Sequence, residues 1–85
     1  SILEKIQQIP QGYSEVEYEG KKYGLSRSDF NRGKSIKVFA EELGGKDFIS
    51  FNYYLTSGEH QLKPCEMPPE KVRHFLFHFE PLEIS

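Results

Sequence analysis

Three groups of residues in this sequence have the types and spacing that suit chemistry. Cys65 stands in the run Lys63-Pro64-Cys65-Glu66-Met67-Pro68. A nucleophilic thiol needs a cation, a base or a helix N-terminus beside it to hold it as thiolate. Lys63 and the helix that opens near Pro68 are both close in sequence. Glu66 can supply a proton, but in an extended chain it points to the face opposite Cys65. As the single cysteine, Cys65 forms no intrachain disulfide and no cysteine-built metal cage. A lone cysteine is more often a small packed residue than a nucleophile, so Cys65 is only a weak catalytic candidate.

His74 and His78 are four residues apart and share one side of a helix, the usual two-ligand spacing for a metal. The glutamate that His-Glu-x-x-His requires is missing, and only His60 offers itself as a third ligand. The pair reads as solvent-exposed histidine, and neither metal nor other cofactor is expected. Gly44-Gly45 is a turn, while Gly20, Gly24 and Gly33 do not precede a helix, so no phosphate-cradling loop is present.

The third group is a set of rings and amines: Arg27, Lys37, Phe39, Asn52, Tyr54 and Lys63. The charge around it is unevenly spread. Residues 1–20 set Lys5 against Glu4, Glu15, Glu17 and Glu19, a balance of −3. Residues 21–37 set Lys21, Lys22, Arg27, Arg32, Lys34 and Lys37 against Asp29 alone, a balance of +5. From residue 38 onward four basic residues face eight acidic ones, a balance of −4 that brings the chain to −2. A local positive field can therefore hide within a weakly acidic chain. Solvated lysines guarding a strand edge would give the same pattern.

These residues must be positioned by a small fold. Residues 1–85 make a single domain, since a chain of this length buries only about 60–65% of its unfolded surface. Seven Phe and five Tyr exclude a disordered composition, and no apolar run approaches the ~20 residues of a membrane span. Ile2, Leu3, Ile6 and Ile9 share one helical face, which Pro10 terminates. From Tyr13 to Leu62 apolar residues alternate between turn residues, the mark of antiparallel strands. Pro68-Pro69-Glu70 opens a second helix, with Val72, Phe75, Leu76 and Phe79 on its apolar stripe and Pro81 at its end.

The expected architecture is α+β: a five-stranded antiparallel meander sheet, with an N-terminal and a C-terminal helix packed on one face. A Gly20-Lys21 turn sets Glu19 opposite Lys22, Tyr18 opposite Tyr23 and Val16 opposite Leu25. A three-residue Asn31-Arg32-Gly33 loop then requires a bulge near Ser28–Phe30, because Leu25 and Ile36 otherwise fall on different faces. A four-residue Gly44–Asp47 loop sets Ala40 opposite Phe51, Val38 opposite Tyr53 and Ile36 opposite Leu55. It is preferred to a Gly-Gly turn, which would oppose Glu42 and Asp47. A turn over Ser57–His60 sets Leu55 opposite Leu62, Tyr54 opposite Lys63 and Asn52 opposite Cys65. The expected core is Ile2, Ile6, Val16, Leu25, Val38, Ala40, Phe51, Tyr53, Leu55, Val72, Phe75, Leu76 and Phe79.

The stretch Phe39-Ala40-Glu41-Glu42-Leu43-Gly44-Gly45-Lys46-Asp47-Phe48-Ile49-Ser50-Phe51-Asn52-Tyr53-Tyr54-Leu55, with Lys63-Pro64-Cys65-Glu66-Met67-Pro68, resembles a small uncharacterised bacterial domain family. Some of its stand-alone members are labelled peptide methionine sulfoxide reductases. A-type reductases carry Gly-Cys-Phe-Trp near the start of a longer domain. Here Cys65 lies between Pro64 and Glu66, with no tryptophan and no resolving cysteine in the chain. The resemblance therefore implies a fold and a bacterial cytoplasmic setting, and no activity.

Two functions follow as expectations. The first is a small non-enzymatic binding or interaction module whose open sheet face carries Arg27, Lys37, Phe39, Asn52, Tyr54 and Lys63. Its partner would be a protein, a second copy of the chain, or single-stranded nucleic acid, whose bases stack on rings while amines meet phosphates. The second is thiol-dependent chemistry at Cys65, reductase-like.

Overall fold

The computed structural model describes residues 1–82. Ser1 and Glu4 form a reciprocal capping box that starts α1 (Ile2–Gln7). Five strands follow: β1 (Gly12–Tyr18), β2 (Lys21–Phe30), β3 (Ser35–Glu42), β4 (Phe48–Thr56) and β5 (Glu59–Pro64). Next come α2 (Pro69–His78), opened by proline where the first turn needs no donor, and a short β6 (Glu80–Pro81). No described helix is long and apolar enough to cross a membrane.

The fold is α+β with an open antiparallel sheet in the order β5-β4-β3-β2-β1-β6. The sheet thus has six strands where five were expected. The sixth arises because the chain leaves β5 at one edge, crosses the sheet as α2 and pairs with β1 at the other edge. Pro81, expected to end the pattern, is tolerated because it sits opposite Val16 in a pair that needs no proline donor. The ladder bond is made one residue on, from Leu82 N–H to Glu15 O at 3.3 Å.

Three hairpin registers differ from expectation by two residues. The first turn is Glu19-Gly20, both left-handed (φ 52 and 77), so Val16 pairs with Tyr23 and Glu17 with Lys22. In the third hairpin Ala40 pairs with Ile49 and Val38 with Phe51, and Glu42 N–H donates to Asp47 O at 2.8 Å. This is the arrangement that opposes Glu42 and Asp47, against the expected four-residue loop. It persists because each carboxylate has its own cation, Lys21 at 3.7 Å from Glu42 and Lys71 at 2.6 Å from Asp47. The last turn is Ser57-Gly58, which pairs Asn52 with Lys63 and Tyr53 with Leu62. A shift of two leaves every side chain on its expected face, because the strand period is two.

The expected bulge does not exist. The β2–β3 loop has four residues, Asn31 to Lys34, with left-handed backbone at Asn31, Arg32 and Gly33. The extra residue restores parity, so Leu25 pairs with Ala40 and Asp29 with Ile36 in one unbroken ladder.

Both helices cover one face. Ile6, Ile9, Val72, Phe75 and Leu76 pack there against Val16, Tyr18, Tyr23, Leu25, Ile36, Val38, Ala40, Ile49, Phe51 and Tyr53. Ile2, Leu55 and Phe79, expected inside, are partly buried at its margin, while Ile9, Tyr18, Tyr23, Ile36 and Ile49 join the interior.

Candidate functional site

The uncovered face is built by the odd residues of β1, β3 and β5 and the even residues of β2 and β4. The pairings arrange them in rows across the strands. One row runs Ser28, Lys37, Asn52, Lys63. The next runs Tyr13, Ser26, Phe39, Ser50, and reaches Cys65, whose N–H donates to Ser50 O at 2.9 Å. On the other side of the lysine row come Phe30, Ser35, Tyr54 and Gln61. Strand spacing places the Lys37 and Lys63 backbones about 10 Å apart with Asn52 between them. Phe39 and Tyr54 flank that row on opposite sides. Lys37 and Lys63 are exposed, and Phe39, Asn52 and Tyr54 are half-buried.

The acids segregate. Glu15, Gly24, Glu41 and Phe48 form a row beyond Phe39. Glu41 is four residues from Lys37 along β3, about 13 Å, so the acidic end and the lysine row are separated by the Phe39 ring. Phe48 continues the aromatic patch, its ring centroid 6.3 Å from that of Phe39. A concavity of about 420 Å³, lined by Phe39, Glu41, Lys46 and Phe48 among others, marks this end. Tyr13 lies across Gly24, where an added Cβ would come within 2.7 Å of the Tyr13 hydroxyl. A side chain at 24 would therefore displace the exposed Tyr13 ring.

Of the six residues expected on this face, five are there. Arg27 is not. With the bulge gone it lies opposite Val38 on the helix-covered face. There its guanidinium donates to Ile9 O at 2.7 Å and Ile6 O at 3.4 Å, and grips both oxygens of Asp29 at 2.9 Å. It caps the C-terminal end of α1, a structural duty that fixes the helix to β2.

Cys65 is half-buried, and its Sγ receives a contact from Asn52 Nδ2 at 3.7 Å. Lys63 is now opposite Asn52, and Cys65 has moved one row along. His74 and His78 stack with ring centroids 4.1 Å apart. His74 Nδ1 is 2.5 Å from the Tyr18 hydroxyl, while His78 Nδ1 bonds to His74 O at 2.8 Å. His60 belongs to β5 and meets Tyr53 instead. Among the described residues no group of three or more His, Cys, Asp or Glu side chains is placed to hold a metal ion.

Sequence reasoning missed a polar cluster at one end of the covered face. The Tyr23 hydroxyl donates to Asp47 at 2.7 Å, and Lys71 of α2 reaches the same carboxylate at 2.6 Å. Burial alone would raise Asp47, but the Lys71 ammonium and the Tyr23 hydroxyl outweigh it and hold the carboxyl below its ordinary range. Burial, then the charge of Glu19, pushes the Tyr18 hydroxyl up to about 12. Burial and the bond to Asp47 likewise raise Tyr23. The cluster pins α2 to the β3–β4 loop. Its signal was the pair Tyr18 and Tyr23 among core-facing residues, because a buried phenol needs a partner for its hydroxyl.

A larger groove, about 820 Å³, runs beside β1 and is lined by Pro10, Val16, Leu25, Phe79, Pro81 and Leu82 among others. It lies beside the sheet edge away from Lys37, Asn52 and Lys63, and the Ser14 hydroxyl nearby is buried without a partner. In comparison with known proteins, the chain matches no family model, no curated protein and no solved structure.

Proposed function

We propose that the uncovered sheet face is the binding face of a small non-catalytic interaction module, taking an anionic partner with planar groups. One observation carries this reading: Lys37, Asn52 and Lys63 form a continuous row across three strands, with Phe39 on one side and Tyr54 on the other. Two ammonium groups about 10 Å apart suit successive negative charges on an extended partner. The flanking rings offer faces for stacking, and the Asn52 amide supplies both a donor and acceptor. The strands hold this geometry through backbone ladders, so little ordering is required on binding.

Short single-stranded nucleic acid is the probe that uses all three features, since stacking on one ring is worth ~1–3 kcal/mol per base and phosphate contacts bring salt dependence. The test is a chemical-shift titration with an oligonucleotide at two salt concentrations. Shifts should centre on Lys37, Phe39, Asn52, Tyr54 and Lys63, and weaken at the higher salt. Phe39→Ala and Tyr54→Ala should each reduce them. Absence of shifts on β3 to β5 at low salt overturns the reading. If the same substitutions instead alter the mass of the particle, the face serves as a patch between copies.

A further inference from the structure

Strand β5 ends the sheet, and among the described residues no strand pairs with its outer edge. Which backbone groups it presents follows from the ladder. Cys65 N–H bonds to Ser50 O, so Cys65 and Ser50 face each other as a hydrogen-bonded pair, and alternation assigns Lys63, Gln61 and Glu59 inward to β4 as well. The N–H and C=O groups of His60 and Leu62 therefore point outward. Pro64 offers only its carbonyl in that direction.

We infer that this edge pairs antiparallel with the same edge of a second copy of the chain, in the register that sets His60 opposite Leu62. A two-fold axis midway between Gln61 of the two copies generates it, as closed isologous pairing requires. Only registers that bring even residues against even residues join outward donors to outward acceptors. In the register one step one way, Glu59 faces Gln61. In the register one step the other way, Lys63 faces Gln61 and the donor-less Pro64 faces His60. The intermediate register sets Glu59 of each copy against Lys63 of the other, twice. It also sets Pro64, which cannot donate, against the Gly58 turn, which can.

The charge complementarity falls where it counts. Glu59, Gln61 and Lys63 would occupy the non-hydrogen-bonded positions of the new ladder, where opposed side chains come closest. All three are exposed in the single chain, so no buried contact is given up. On the covered side, Leu62 would meet His60 of the other copy beside the Tyr53 ring that already contacts His60 at 5.8 Å. Pairing would fuse two sheets into one and remove an edge that otherwise invites uncontrolled association. The pairing shares Lys63 with the proposed binding face, since in the dimer Glu59 of the other copy would compete for the ammonium that an anionic partner would meet.

The test is mass by light scattering from micromolar to millimolar protein, combined with amide hydrogen exchange. The mass should rise from that of one chain, 9.9 kDa, toward twice that value. The His60 and Leu62 amides should become protected in step with it. Glu59→Lys places like charges at both pairs and should raise the dissociation constant roughly tenfold or more. Adding Lys63→Glu to that variant should restore pairing, which loss of folding could not mimic. A mass that stays at one chain to millimolar concentration overturns the inference. So does a dimer that Glu59→Lys leaves intact, or one in which His60 and Leu62 exchange freely.

Discussion

The two faces of the sheet are made by the same strands and differ only in which alternate residues they display. The covered face holds Leu25, Val38, Ala40, Ile49 and Phe51, all inaccessible to water. The uncovered face holds Lys37, Glu41, Asn52, Tyr54 and Lys63 on those strands or their neighbours. Most polar groups on the covered face bind something there, Arg27 to α1 and Asp29, Tyr18 to His74, Tyr23 to Asp47, the Ser14 hydroxyl being the exception. On the uncovered face the side chains of Lys37 and Lys63 make no hydrogen bond or ion pair among the described residues. One face is therefore tied into the packing of the helices, and the other displays its lysines and half-buried rings without a covering layer among the described residues.

This contrast can be broken by substitution. Phe75→Ala should have the largest effect, a loss of ~3–5 kcal/mol in denaturant unfolding, because the ring is fully buried among Tyr18, Tyr23 and Phe79. A loss under about 1 kcal/mol would show that α2 does not seal the covered face. Arg27→Met comes next. It removes the guanidinium from Ile6 O and Ile9 O at the C-terminal end of α1 and leaves half-buried Asp29 with the Gln11 amide at 3.3 Å in place of its cation, at about 2–3 kcal/mol. Exchange of the α1 amides should rise more than exchange in β3. Were α1 unaffected, Arg27 would be free for another role.

Acid titration probes the link between loop and helix. Asp47 sits below its ordinary value of 3.8 in the folded chain, so its carboxylate contributes stability above that pH, and the contribution disappears as pH falls through the folded value. Unfolding measured from pH 6 down to pH 2 should show less acid loss in Asp47→Asn than in the wild type. The difference should be small, because the pair with Lys71 is about a third exposed. Equal slopes would mean that the link adds nothing. The smallest stability effect belongs to Lys37→Ala, expected within ~0.5 kcal/mol of wild type. That variant should nonetheless weaken the oligonucleotide shifts, which sharpens the division between faces.

Much of this division was legible in the sequence because strand parity tolerates errors of two. The Gly20 hairpin was placed two residues out, yet Val16 and Tyr18 still faced inward. What failed were errors of one. A β2–β3 loop counted as three residues instead of four forced an imaginary bulge and put Arg27 on the wrong face. The cause was local: Asn31 and Arg32 adopt left-handed backbone that is usually assigned to glycine. Judging Glu42 against Asp47 without Lys21 and Lys71 misled for a different reason, since those cations arrive from distant parts of the chain. Two-residue β6 carries no periodicity to read.

The crossing from β5 through α2 to β6 has a consequence in time. Each hairpin from β1 to β5 joins neighbours in sequence, so the meander can zip up through short loops at little entropic cost. By contrast, Tyr18 meets His74 across 56 positions, and the pairing of Val16 with Pro81 spans still more of the chain. Their larger loop-closure cost favours forming them after the meander on which they dock. In such a sequence of events the face that will become the interior stands open until the segment from α2 to β6 closes over it as a clasp.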